Sequence, residues 1–156
     1  MRVDQLKYNN GTIARWLRLA IHFLGNILRS VNIFFYRLNG IEIGHNTMIS
    51  LRAKLDVRRG QISIGNNCII TYGCILVSHD AAASIINPED DGAGSILIED
   101  NVYIGVGSII LRNVRIGRNA IIGAGSLIIK DIPANAVVIG NPQRIVKIIG
   151  EEDVTR

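Results

Sequence analysis

From residue 41 onward, an aliphatic residue occupies every sixth position, and this period is interrupted only after residues 56 and 79. A six-residue period predicts short strands joined by tight corners and stacked as a parallel β-helix, in which each unit buries one side chain against the units above and below. We call the recurring aliphatic residues the anchors. They are Ile43, Ile49, Leu55, Ile64, Ile70, Leu76, Ile98, Ile104, Ile110, Ile116, Ile122 and Ile128. Three units make one triangular turn, so the anchors predict about four turns.

Two further positions of each unit support this prediction. Three places after an anchor, eight units have Asn or Gly, the residue types that tolerate the positive φ of a tight corner. These are Asn46, Asn67, Gly73, Asn101, Gly107, Asn113, Asn119 and Gly125. Four places after an anchor, the side chain is small or of modest size. Cys68 and Cys74 belong to this last series, so we expect buried thiols rather than a disulfide or a metal pair.

Residues 12–39 have a different period. Apolar residues recur there at spacings of three and four, which predicts an amphipathic helix, or two helices broken near Gly25 or Ser30. The longest stretch without Lys or Arg is ten residues, between Arg18 and Arg29. A membrane-spanning helix needs about twenty apolar residues, so this segment is not expected to cross a bilayer.

The net charge of +4 is unevenly distributed along a chain that is 48% hydrophobic and only 5% aromatic. Residues 1–59 carry ten Lys or Arg against three Asp or Glu, whereas the remainder carries seven against ten. Because the positive charge lies on an apolar-faced helix rather than in a groove with aromatic residues, we expect no nucleic-acid partner.

The basic helix has two interpretations, which can both hold. In the preferred one it caps the open end of the β-helix, covering edge groups that would otherwise pair with other strands. In the other it lies on an anionic membrane surface as a peripheral anchor. The N-terminus lacks the layout of a signal peptide. We therefore expect a cytoplasmic protein, peripheral to the inner face of the membrane if the second interpretation holds.

One corner departs from the Asn/Gly pattern. The residue three places after Leu76 is His79, and residues 80–94 then break the period with a polar stretch containing Pro and Gly, which is typical of an excursion loop. The imidazole is therefore expected at the surface edge of the coil. His22 lies in the helix and is interpreted as a packing or surface residue, and His45 as a solvated corner residue. No metal site is predicted, since the three histidines occupy separate parts of the pattern.

Three segments follow that histidine in a recognisable order: "VYIGVGSII", "GAGSLIIKDIP" and "VIGNPQRIVK". Together with the repeat they resemble the hexapeptide-repeat acyltransferases, most closely the galactoside, maltose and polysaccharide O-acetyltransferases, over about residues 41–149. The resemblance implies a left-handed β-helix, a homotrimer with active sites between neighbouring subunits, acetyl-CoA as the donor, and a catalytic histidine that His79 matches. Tyr103 stands where relatives usually carry Trp. The positions that match CoA contacts are Val106, Ala124, Ile129, Lys130, Arg144 and Lys147.

The whole fold is then predicted as mainly β. An N-terminal helical segment occupies residues 1–40, the left-handed β-helix residues 41–140, and a short helix with a tail residues 141–156. On such a C-terminal helix Arg144 and Lys147 would share a face, and with Lys130 they would form a basic set spaced to meet the phosphates of CoA.

Acetyl transfer from a thioester to a hydroxyl requires a base for the hydroxyl proton and hydrogen-bond donors for the developing oxyanion. Histidine is ordinarily largely neutral near pH 7, so His79 is the predicted general base. Asp80 is predicted either to orient the imidazole by accepting from its second nitrogen or to cap the turn. Gly105 would let a backbone N–H approach the thioester closely, at or beside Val106. Asp56, just before the first break, is a candidate contact of the acceptor.

The predicted function is acetyl transfer from acetyl-CoA to a hydroxyl of a carbohydrate, such as a cell-surface polysaccharide or its precursor. Transfer to the amino group of a nucleotide-linked amino sugar is the alternative reaction, and the sequence does not separate the two. A non-catalytic β-helix scaffold is the alternative of another class, although it leaves His79 and the basic set without a role. The N-terminal helix and the 80–94 loop differ from the sugar acetyltransferases where the acceptor would be selected.

Overall fold

A computed structural model describes residues 12–56 and 58–150. One long helix, α1 (Thr12–Leu38), precedes a coil of short strands, and a second short helix, α2 (Ala83–Ile86), lies in the loop that leaves the coil. The strands are β1 (Glu42–Ile43), β2 (Met48–Ile49), β3 (Lys54–Leu55), β4 (Gln61–Ile64), β5 (Ile69–Ile70), β6 (Ile75–Leu76), β7 (Ser95–Ile98), β8 (Tyr103–Ile104), β9 (Ile109–Ile110), β10 (Val114–Ile116), β11 (Ile121–Ile122), β12 (Leu127–Ile128), β13 (Ala136–Ile139) and β14 (Arg144–Ile148).

The strands form the three sides of a prism. Sheet A has the order β1-β4-β7-β10, sheet B the order β2-β5-β8-β11-β13-β14, and sheet C the order β3-β6-β9-β12. The chain visits A, B and C in turn, and every strand pairs in parallel with the strand one turn away, except the antiparallel pair β13–β14. The predicted parallel β-helix of about four turns is confirmed.

The anchors form the core of the prism. All are buried except Ile43, which is half-buried at the open first turn. The small residues four places after the anchors are buried as well, including the free thiols Cys68 and Cys74. Burial raises the pKa of the Cys68 thiol. All eight predicted corner residues have φ between 53° and 70°, so the corner chemistry predicted for Asn and Gly is confirmed.

Adjacent turns approach so closely that several glycines directly after anchors have no room for a side chain. A Cβ added to Gly105 would lie 2.5 Å from the backbone nitrogen of Ala124 in the next turn. The Gly105 N–H itself donates to the carbonyl of Ile122 at 2.8 Å. This glycine is therefore required for packing between turns.

We expect Gly105→Ala to destabilise the coil by about 1–3 kcal/mol, because the backbone atoms it would contact cannot move without disturbing a second turn. Thermal unfolding at fixed protein concentration measures this loss. Gly25→Ala in α1, where nothing lies within 4 Å of the added Cβ, is the matched control and should unfold no earlier than the wild type. Equal unfolding temperatures for the two variants would contradict the packing role.

Helix α1 is a single helix, so the breaks considered at Gly25 and Ser30 do not occur. Among the described residues, contacts between this helix and the coil are seen at its C-terminal end. Ile33 and Tyr36 pack against the core, the Tyr36 hydroxyl donates to the carbonyl of Ala53 at 3.3 Å, and Arg37 donates to the carbonyl of Ile43 at 2.7 Å. The preferred interpretation, that the helix caps the open end of the coil, thus holds for its C-terminal end. The apolar stripe that was expected to make the cap is instead exposed from Trp16 onward.

The expectation that this helix is too interrupted to cross a membrane also needs correction. By length and composition alone, the helix over Arg15–Leu38 is long and apolar enough to do so. One arginine lowers the mean hydropathy of such a stretch only slightly. It nevertheless divides the stretch into two shorter runs without Lys or Arg, which is why the sequence suggested a helix too short to span.

The predicted C-terminal helix is wrong over the described residues 141–150. Strand β14 pairs antiparallel with β13 and closes the last edge of sheet B. The physical reason is that the end of a β-helix leaves an unpaired row of backbone groups, which a returning strand satisfies and a helix does not. The rest of the predicted tail, residues 151–156, lies outside the described residues.

Candidate functional site

His79 lies where the chain leaves the coil after β6. Its backbone forms an antiparallel bridge with Ala93, and the N–H of Asp80 donates to the carbonyl of Gly92 at 2.8 Å. These pairs close the base of the 80–94 loop as a short ribbon. The imidazole is only 16% exposed, so it lies in a cleft rather than on an open corner.

Two side chains hold the imidazole from either end. The carboxylate of Asp56 bonds Nδ1, and Nη2 of Arg58 lies 3.4 Å from Nε2. Arginine can only donate, so Nε2 must accept, and the proton of the neutral ring is assigned to Nδ1, where Asp56 accepts it. The ring therefore directs a lone pair at Nε2 towards the cleft, which is the form that a general base requires.

Asp56 remains charged in this setting. Burial, which leaves its side chain 8% exposed, would by itself raise the pKa of the carboxyl. Hydrogen bonds from His79 and from the backbone and side chain of Arg58 outweigh the burial and hold the pKa of Asp56 below its ordinary value. The ionised carboxylate thus keeps the ring oriented and can stabilise an imidazolium.

The structure gives Asp80 the second of its two predicted roles, capping the turn, and gives Asp56 a role that was not predicted. Asp80 is exposed, and its Oδ1 accepts the N–H of Ala82 at 2.9 Å, so it caps the turn into α2. Asp56 takes the orienting position instead, and its oxygens are engaged by His79 and Arg58 rather than turned to an acceptor. The backbone explains why Asp56 contacts His79. The N–H of Asp56 donates to the carbonyl of Leu76 at 2.9 Å, which places Asp56 in the turn next to that of the histidine.

A cleft of about 320 Å³ surrounds the pair on the outer side of sheet C. It is lined by Lys54, Leu55, Asp56, Arg58, Ile75, Leu76, Val77 and His79. A second cleft of about 270 Å³ adjoins it through Lys54 and Ile75, and includes Arg52, whose guanidinium lies 5.1 Å from the centroid of the Tyr72 ring. The surface around the imidazole is therefore basic.

The residues that match CoA contacts lie apart from this cleft, and none of them lines it. Val106 and Ala124 follow β8 and β11 at the corner between sheets B and C, where the N–H of Gly125 donates to the carbonyl of Val106 at 2.8 Å. Tyr103 is 40% exposed on sheet B. Ile129 and Lys130 follow β12 of sheet C. Val106, Ala124 and Tyr103 thus lie elsewhere around the prism than His79, whereas Ile129 and Lys130 share sheet C with it, two turns along the coil.

Arg144 and Lys147 share a face, but for a different reason from the one predicted. Arg144 pairs with Ile139 and Lys147 with Val137, and these partners are two residues apart on β13. An irregularity in the pairing between Val137 and Val138 accommodates the extra residue of β14. Both basic side chains consequently lie on one side of sheet B.

The N–H of Gly105 is not available as an oxyanion donor, because the carbonyl of Ile122 accepts it within the sheet. The predicted oxyanion donor at or beside Val106 is therefore not the N–H of Gly105, and the missing side chain of this glycine makes room for the next turn.

Gln143 is a residue that sequence analysis missed. Its Oε1 accepts the N–H groups of Ile129 at 2.6 Å and Lys130 at 3.0 Å, and its Nε2 donates to the carbonyl of Lys130 at 2.9 Å. The side chain thus replaces the strand that a further turn would supply. Its position directly after Asn141–Pro142, where the chain reverses towards β14, was the available signal.

Known proteins share the repeat of this chain. The family described as bacterial transferase hexapeptide (six repeats) matches residues 95–130. The solved structure of a galactoside acetyltransferase in complex with coenzyme A superposes with a TM-score of 0.62 at 33% identity, covering 71% of this chain and 56% of that one. The chain carries the hexapeptide repeat of these bacterial transferases. The predicted resemblance is confirmed.

Two relatives differ in what is known of them. YvoF of Bacillus subtilis (strain 168), to which acetyltransferase activity is assigned provisionally, is 36% identical over 107 residues, covering 68% of this chain and 59% of YvoF. The 2,3,4,5-tetrahydropyridine-2,6-dicarboxylate N-acetyltransferase of Staphylococcus aureus (strain JH9) is 36% identical over 92 residues, covering 59% of this chain and 35% of that protein. The chain therefore spans about three fifths of the length of YvoF and about one third of the length of the S. aureus enzyme.

Among the described residues of this hexapeptide-repeat protein, no group of three or more His, Cys, Asp or Glu side chains comes together as a set of metal ligands. The group in the cleft that can accept a proton from a substrate is the hydrogen-bonded pair of Asp56 and His79.

The loop beside His79 is tied down by Arg112 from the next turn. Its guanidinium contacts both carboxylate oxygens of Asp90, at 3.2 and 3.0 Å, and donates to the carbonyl of Ala93 at 3.3 Å. The Arg112 hydrogen bonds lower the pKa of Asp90. The arginine therefore fixes the return of the loop to the coil.

We expect Arg112→Gln to accelerate cleavage at Glu89 by a glutamate-specific protease about 10-fold, because the loop then opens more often while the coil stays folded. Limited proteolysis with the unfolding temperature measured in parallel checks this. Arg118→Gln is the control, since Arg118 pairs with Glu99 at a distant corner. Similar cleavage rates for the two variants would show that Arg112 does not hold the loop.

Proposed function

We propose that this protein transfers an acetyl group from acetyl-CoA to a hydroxyl of a carbohydrate, a cell-surface polysaccharide or its precursor, with His79 as the general base. The observation that carries the proposal is the orientation of the imidazole, with Nδ1 held by Asp56 and Nε2 directed into the cleft. The similarity to a galactoside acetyltransferase in complex with coenzyme A supports both the donor and a carbohydrate acceptor.

The reaction follows from this geometry. Nε2 accepts the proton of the acceptor hydroxyl as the oxygen attacks the thioester carbonyl, which forms a C–O bond and a tetrahedral oxyanion. Collapse of the oxyanion breaks the C–S bond, and the departing thiolate takes the proton back from the imidazolium. Asp56 stabilises that imidazolium while it exists. Arg58 must move from Nε2 for the acceptor hydroxyl to reach it, which its 76% exposed side chain can do.

We further propose a homotrimer with active sites between subunits, and a cytoplasmic location. The position of Val106 and Ala124 at a different corner of the prism from His79 supports this arrangement, because a second copy would bring those matched residues against the cleft. Arg144, Lys147 and Lys130 would then bind the phosphates of CoA, with Tyr103 and Ile129 against its apolar parts.

Acetyl transfer to an amine is the second candidate, and the similarity to the S. aureus N-acetyltransferase supports it. The same Nε2 could remove the proton from an attacking amine, so the site chemistry accommodates both reactions.

The test is an acceptor screen with acetyl-CoA as donor, following release of the CoA thiol and mass of the product. Nucleotide sugars, free oligosaccharides and lipid-linked glycans form the panel, and donor hydrolysis without acceptor is the control. We expect an acetylated carbohydrate that releases acetate in mild alkali, as an ester does. A product stable to alkali would favour the amide, and absence of CoA binding at millimolar ligand would contradict the proposal and favour a scaffold.

A further inference from the structure

Helix α1 presents an apolar face that its own coil leaves uncovered. Trp16, Phe23, Leu24, Ile27, Val31 and Phe34 are each between 45% and 69% exposed. At 3.6 residues per turn, these six residues fall on one side of the helix. A continuous apolar surface of this kind marks an interaction site rather than ordinary exposed residues.

The coil holds the helix by the opposite side. Ile33 and Tyr36, the helix residues that pack against the core, lie at the same angles around the helix axis as Arg15 and Arg18. The contact with the coil therefore turns the apolar face away from the rest of the subunit. This orientation leaves that face available to a partner.

The charge of the helix indicates what the partner is. Its 27 residues contain Arg15, Arg18, Arg29 and Arg37 and no Asp or Glu. An anionic phospholipid surface complements such a helix. A second copy of α1 would add further arginines and no carboxylates, so self-association would give the positive charge of the helix no complement.

The arrangement of the arginines also indicates how the helix lies. Arg15, Arg18 and Arg29 form a row with His22 along one side, opposite the apolar face. A helix crossing the bilayer would place part of this row in hydrocarbon, whereas a helix in the membrane plane keeps it among the headgroups while Trp and Phe enter the acyl boundary.

We propose that the apolar face of α1 docks the protein in the plane of an anionic phospholipid bilayer. The proposal does not depend on acetyl transfer, since it rests on the helix alone. If both proposals hold, the His79 cleft works at the membrane surface, within reach of acceptors carried on lipid.

The test is co-sedimentation of the full chain with vesicles of phosphatidylcholine alone or with about one third phosphatidylglycerol. We expect binding to the anionic vesicles that weakens in high salt, and at least about a 10-fold lower partition for the double variant Phe23→Ser/Phe34→Ser. Ile85→Ser/Ile86→Ser is the matched control, because it removes equally apolar side chains that are 83% and 86% exposed on α2. Helix content and unfolding temperature verify that the variants fold.

Four outcomes would overturn the proposal. The wild type could fail to prefer anionic vesicles, or the α2 control could lose binding as much as the α1 variant. If the wild type does not bind vesicles and instead forms a larger oligomer that the Phe23→Ser/Phe34→Ser variant does not form, the apolar face contacts a second copy. Resistance of the membrane-bound protein to extraction by alkaline carbonate would indicate a helix that spans the bilayer rather than one that lies in its plane.

Discussion

Replacing His79 with alanine should lower the rate of acetyl transfer by about 10²–10⁴-fold, the range that a general base ordinarily contributes. The acceptor hydroxyl would then have to lose its proton to water, although the donor could still bind. The matched CoA set lies outside the His79 cleft, so the dissociation constant for CoA should be unchanged. Steady-state rates together with calorimetric titration of CoA separate the two effects.

His45→Ala is the matched control for this experiment. His45 is also a histidine on the coil, but it is exposed at the corner between sheets A and B and lies outside the cleft. Its replacement should leave the rate within a factor of about two of the wild type. If the His79→Ala variant transfers acetyl groups as fast as the His45→Ala variant, His79 is not the general base.

Asp56→Asn should lower the rate of acetyl transfer by about 10²-fold or more, whereas Asp80→Asn should not lower it. The amide can donate to Nδ1, which favours the ring form with its proton on Nε2, and that form cannot accept the proton of the acceptor. The side chain of Asn has nearly the same size and shape, so the cleft should keep its form. The measurement is kcat for both variants with CoA binding as the check on folding.

Asp80 provides the contrast because its carboxylate caps a turn at 2.9 Å from the Ala82 nitrogen, a bond that Asn also makes. From the sequence, Asp80 was the candidate partner of the imidazole and Asp56 a candidate contact of the acceptor. Equal losses of rate for the two variants would contradict the assignment of Asp56, rather than Asp80, as the residue that orients the imidazole.

The coil was predictable because one physical requirement repeats. Each turn must bury an aliphatic anchor and pass a corner at positive φ, so Ile104 or Asn101 can be interpreted without reference to the rest of the chain. The contact of Asp56 with His79 depends on the stacking of consecutive turns. Counting in register, with Leu55 beneath Leu76, would have found it.

The two ends of the chain were less predictable. In "RIVKII", helical and extended conformations both give an acceptable pattern, and the choice is made by the unpaired edge of β13 rather than by local propensity. For α1 the pattern correctly indicated an amphipathic helix, but not which side faces the coil. That side is decided by Tyr36 and its hydroxyl contact with the carbonyl of Ala53.

The most direct test of the central claim is nitrogen NMR of the His79 ring in protein with 15N-labelled histidine, at pH 8, where histidine is ordinarily neutral. With resonances assigned by comparison with His79→Ala, the account predicts a proton on Nδ1 and an unprotonated Nε2 in the wild type, and the reverse in Asp56→Asn. A wild-type ring that carries its proton on Nε2 would contradict the account.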